Sequence, residues 1–150
     1  AEWWNTASRD DCVTSMETIA NMSARGQISQ SHAMGPTDDR PADAAKQREF
    51  TAGCFLIAAG NLSYFSYADW ASGSWSIGGT RWWEEYDRQL GAPTSPPMTR
   101  AISAINAADT DFTFVRSFAS GTTVRVDVAA HRATIAWAGR RQQSEPWSSA

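Results

Sequence analysis

Val13, Met16 and Ala20 recur at i, i+3 and i+7, which is one face of a helix. Asp10 or Asp11 precedes that run and can cap it by accepting its free amide protons. Gly26 follows as the left-handed residue that ends a helix, so the pattern predicts a helix over Asp11–Arg25. A second apolar face is set by Phe50, Cys54 and Ile57, with Lys46, Arg48 and Glu49 on the wet side. Pro41 suits its first turn and Gly60 its stop, giving a helix over Pro41–Ala59. Gln27–His32 and Leu62–Tyr67 flank this helix as short strands, and Glu2–Asn5 reads as the end of an earlier one. Strands that alternate with helices over short connections pair in parallel, so Gln27–His32 and Leu62–Tyr67 are expected as parallel neighbours.

The period then changes to two. Phe112, Phe114 and Phe118 share a strand face with Arg116, and Val124, Val126 and Val128 alternate against Arg125 and Asp127. Ser120-Gly121 and Ala130-His131 are turn signals, so three antiparallel strands are expected, the last over Ala133–Trp137. Between the two patterns lie a short helix over Arg81–Leu90 and a stiff linker over Thr94–Pro97. Residues 1–97 thus read as βα units carrying an aromatic loop, 98–139 as an antiparallel extension and 140–150 as a Ser-rich, disordered tail.

A length of 150 residues with 42% hydrophobic and 19% charged content is that of one globular domain. The net charge of −3, with scattered signs, offers no polybasic surface; nucleic acid and anionic membrane are not expected as partners. No apolar run approaches the roughly 20 residues of a membrane span. Two cysteines, Cys12 and Cys54, make neither a disulfide framework nor a metal site and are expected as buried free thiols. The sequence contains no GxGxxG, P-loop, GxSxG or HExxH motif, so redox, nucleotide and serine-hydrolase chemistry have no support.

The chemistry concentrates between Cys54 and Pro93. Four of the eight tryptophans (Trp70, Trp75, Trp82 and Trp83) lie there with all three tyrosines (Tyr64, Tyr67 and Tyr86). Asp69, Glu84, Glu85 and Asp87 punctuate them. Indole and phenol faces with nearby carboxylates suit sugar rings, whose axial C–H groups stack on the ring while hydroxyls donate to the acids. Large rings also dominate cores, so each aromatic taken singly reads as core at least as readily. The Gly/Ser-rich WASGSW stretch followed by RWW reads as a loop, not a packed element.

LSYFSYADW, then WWEEYDRQLGAP, then VRSFASGTTVRVDV, in that order, resemble the closing part of glycoside-hydrolase-like TIM-barrel proteins. The resemblance covers roughly Glu2 to Trp137. It implies an α/β fold, the C-terminal fragment of a (β/α)8 TIM barrel (its last βα units) followed by a small antiparallel sheet. The implied function is O-glycosidic bond hydrolysis by carboxylate acid/base chemistry, with no cofactor and no metal. The implied partners are an oligo- or polysaccharide and the rest of the chain's own barrel upstream of Ala1. An extracellular or secretory location accords with such an activity.

Active sites of parallel barrels lie where strands run into their following loops, a rule that selects Glu2, His32 and Asp69. Glycoside hydrolysis needs a carboxylate pair. Glu2 is the first candidate, against the plainer reading of an exposed terminal glutamate. Asp69 could act as the second carboxylate or hold a sugar hydroxyl, against the plainer reading of a loop-capping aspartate. His32, Tyr64, Trp70, Trp75, Trp82, Trp83 and Tyr86 are the substrate-binding candidates. His32 could be a ligand-orienting hydrogen bonder or a proton carrier near neutral pH. The alternatives are a non-catalytic carbohydrate-binding module and a degenerate barrel serving as a binding protein. Two helices of the kind expected here fit poorly in the β-sandwich of such a module. As a barrel segment, the isolated chain is expected to be aggregation-prone or oligomeric and to lack glycosidase activity.

Overall fold

The first helix, α1 (Arg9–Ala24), forms on a stripe centred one residue away from the expected one: Cys12, Met16 and Ile19 are buried, with Val13 and Ala20 at its margin. Its end is a Schellman motif. Gly26, at φ 66°, donates to Ser23 O at 3.1 Å, and Gln27 N–H reaches Met22 O at 2.9 Å. The computed structural model describes residues 9–35, 41–69, 83–99 and 112–138.

From α1 the chain runs into β1 (Ser29–Gly35), α2 (Pro41–Ala58) and β2 (Ser63–Asp69). β1 and β2 are parallel neighbours, in register from Ser29 opposite Ser63 to Gly35 opposite Asp69, as the strand-helix-strand grammar requires. A knot of hydroxyls ties the amino end of this pair, with Ser29 Oγ donating to Ser63 Oγ at 2.8 Å and Ser23 Oγ 3.1 Å from the same atom. After a single 3-10 turn (Glu84–Asp87), where a longer helix was expected, come β3 (Thr113–Ser117), β4 (Thr123–Asp127) and β5 (Arg132–Ala136). These three form an antiparallel sheet in sequence order. Gly121 (φ 93°) and His131 (φ 50°) turn the two hairpins at the expected places. The Thr94–Pro97 stretch is more than a linker: its flanks lie along the outer edge of β3. Thr94 N–H donates to Ser117 O at 2.8 Å, and Val115 N–H to Thr99 O at 2.9 Å.

The expectation of a (β/α)8 barrel fragment is overturned. Among the described residues there are two helices and two separate sheets, a parallel one of two strands and an antiparallel one of three, and no barrel-like arrangement. The reason lies in α2. A helix on the outside of a barrel keeps a polar face in water, as Lys46, Arg48 and Glu49 led one to expect. From Phe50 onward, however, α2 is buried almost all round: Phe50, Cys54 and Ile57 are joined in the core by Phe55, Leu56 and Ala58. Such a helix is interior. It contacts all five strands as well as α1, with the antiparallel sheet covering the side that a barrel would leave wet. βαβ grammar fixes the local pairing of two strands. It does not fix how many strands follow, or on which side.

Candidate functional site

The alternation of β1 and β2 gives their sheet two unlike faces. Ser29, Ser31, Ala33, Phe65 and Tyr67 turn toward the helical side, where Phe65 stacks on Phe55 with ring centroids 5.1 Å apart. The other face carries Gln30, His32, Tyr64 and Ser66. Tyr64 stands opposite Gln30 and Ser66 opposite His32. The Tyr64 ring is open to solvent, 57% exposed. His32 Nδ1 lies 2.6 Å from Ser66 Oγ, a short hydrogen bond that fixes the imidazole against the sheet. Asp69 closes β2 at its carboxyl end, opposite Gly35. In open α/β sheets, ligands bind outside the carboxyl ends of the parallel strands.

The structure thus brings His32, Tyr64 and the backbone of Asp69 onto one strand pair, and it adds Ser66. Sequence reasoning missed Ser66, although the S-Y-F-S alternation that exposes Tyr64 also sets the residue two along on the same face. Trp83 and Tyr86 belong to a different group. They lie on the 3-10 turn and its approach, packed at the edge of β2. Tyr86 meets Phe65 edge-on with centroids 6.4 Å apart, and Trp83 meets Tyr67 at 6.3 Å. The guanidinium of Arg48 sits 3.8 Å from the Trp83 ring centroid and 3.8 Å from Glu85 Oε1, so one indole face is already covered. Glu84, for its part, reaches Arg88 at 4.0 Å. Glu2, Trp70, Trp75 and Trp82 lie outside the described residues.

Tyr86 also has a backbone duty. Its hydroxyl accepts the Tyr67 N–H at 2.9 Å, meeting a donor on the edge of β2 that has no neighbouring strand among the described residues. Burial pushes the phenol above its ordinary pKa and keeps it neutral. Tyr86→Phe should therefore cost about 1–3 kcal/mol of stability, because a part-buried amide proton loses its acceptor. A urea melt of the two proteins checks this; an unchanged midpoint would show that water replaces the hydroxyl at no cost.

Among the described residues no group of three or more His, Cys, Asp or Glu is placed to hold a metal ion, and no helix is long and apolar enough to cross a membrane. A family model described as hypothetical glycosyl hydrolase family 15 matches residues 1–122. No curated protein matches the chain.

Proposed function

The chain belongs to hypothetical glycosyl hydrolase family 15, and on that premise we propose that it hydrolyses O-glycosidic bonds in an oligo- or polysaccharide. The observation that carries the reading is the family match, which runs over residues 1–122 and so includes both candidate acids, Glu2 and Asp69. The exposed Tyr64 ring beside the His32–Ser66 pair supports it. A sugar stacked on Tyr64 would offer its hydroxyls to His32 and Gln30 on the same sheet face. Trp70, Trp75 and Trp82 would extend the contact along the chain that follows β2.

The chemistry needs one carboxylic acid to protonate the leaving oxygen and one carboxylate to attack the anomeric carbon or to deprotonate a water that does. We assign these tasks to Glu2 and Asp69. Neither task calls for a cofactor. Trp83 and Tyr86 support the site from behind, holding the edge of β2.

A binding role without turnover draws on the same exposed Tyr64, which needs no acid pair. The test is incubation of the full-length protein with a panel of aryl glycosides and natural oligosaccharides, followed by assay of released reducing sugar. Hydrolysis of at least one is expected. Saturable binding of a glycan that is never cleaved would reject the hydrolase reading in favour of a binding protein.

A further inference from the structure

Cys12 on α1 and Cys54 on α2 lie with their sulfurs 3.3 Å apart, both fully buried where the two helices pack together. We propose that these two residues are a modification site: when the chain folds in the presence of a small disulfide oxidant, they form an intramolecular disulfide that staples α1 to α2. The sulfurs are already in contact, and closing to a bonded distance of about 2.05 Å asks for a shift of little more than an ångström.

The step is a double thiol–disulfide exchange. One cysteine thiolate attacks the oxidant, forming a mixed disulfide and releasing one oxidant thiol. The second cysteine then attacks the protein sulfur of that mixed disulfide and releases the other. Two cysteine S–H bonds are lost and one S–S bond is made; the two electrons and two protons end on the two thiols derived from the oxidant. In the folded, reduced protein the pair is protected. Burial pushes the Cys54 thiol well up, with the neighbouring Cys12 adding to the effect, so little thiolate is present and no oxidant reaches it. The exchange therefore belongs to folding, before α1 has closed over α2. Among the described residues no group of three or more His, Cys, Asp or Glu could make the pair part of a metal site.

The full chain refolded from denaturant in a glutathione redox buffer tests this. The expected product is a monomer lighter than the reduced chain by two hydrogen atoms, with no thiol alkylated after acid unfolding. Its melting temperature should exceed that of the reduced protein by about 5–15 °C, because the bond closes a loop of 42 residues in the unfolded chain. Cys12→Ser and Cys54→Ser should each leave one residue able to carry a glutathione adduct, and the doubly substituted chain none. Two alkylatable thiols in the refolded wild type, a stable glutathione adduct on it, or disulfide-linked dimers would each overturn the proposal. Should refolding yield be poor, the same mass measurement on protein made directly in an oxidising compartment separates the same outcomes.

Discussion

Arg116→Met should destabilise the protein by about 2–5 kcal/mol. Its guanidinium is almost fully enclosed, with one terminal nitrogen donating to Leu56 O at 2.9 Å, Ile57 O at 3.1 Å and Ala59 O at 2.6 Å. These are carbonyls of the last turn of α2 and its exit, which have no amide partner within the helix. Ile57 O also receives the Met98 N–H at 3.2 Å and would keep a donor. Leu56 O and Ala59 O would lose theirs, at about 1–3 kcal/mol each. The positive charge further suits the negative end of the α2 dipole. Burial pulls the Arg116 pKa below its ordinary value, but it starts so high that the group stays charged. Methionine fills much of the same space, so the loss would reflect the missing donors more than a cavity. Urea denaturation of both proteins gives the difference directly. A change under about 1 kcal/mol would mean that desolvating the charge offsets what the carbonyls gain.

Gly53→Val should cost about 3 kcal/mol, despite the gain in helix propensity of up to about 1 kcal/mol on replacing glycine. A Cβ at Gly53 would come within 2.8 Å of the Ala133 Cβ and 3.1 Å of a Val126 methyl. The first neighbour cannot rotate away, so α2 and the antiparallel sheet would have to separate. Gly53→Ala should show the same sign at smaller size. The pair Gly53→Ala with Ala133→Gly should recover part of the loss, since the second change removes the atom that the first one meets. Non-additivity in that double-mutant cycle checks the contact. Full additivity, or a more stable Gly53→Ala, would show that the helix and sheet are not so closely apposed.

Both effects arise at the contact between α2 and the antiparallel sheet, which was the part least legible in the sequence. Local grammar could be read well. The Phe50–Cys54–Ile57 face, the Gly26 stop, the parallel pairing around α2 and the alternation of Val124, Val126 and Val128 all follow from short-range periodicity, and the structure has each of them. What periodicity cannot carry is which element covers which. The pattern around α2 is the same whether its outer side meets water or β4 and β5. Arg116 could be placed on a phenylalanine face by alternation, but its partners, backbone carbonyls at the end of α2, carry no sequence signal. In the candidate site, His32 came from the strand-end rule and Tyr64 from the aromatic cluster; strand alternation then separates both from Phe65 and Tyr67. Trp83 and Tyr86 are equally aromatic and equally near acids in sequence. Their packing against Arg48 and the edge of β2 comes from tertiary contacts that no local pattern encodes.

The central claim is that a carboxylate at the end of β2 takes part in glycoside cleavage, and the turnover of Asp69→Asn tests it most directly. On a glycoside that the full-length wild type hydrolyses, kcat is expected to fall by about 10²–10⁴-fold, the range for loss of a general acid or base. Glycan affinity should stay close to that of the wild type, because the Tyr64 and His32 face is untouched. An Asp69→Asn protein that turns over at the wild-type rate would contradict the assignment and remove the parallel strand pair from the catalytic account.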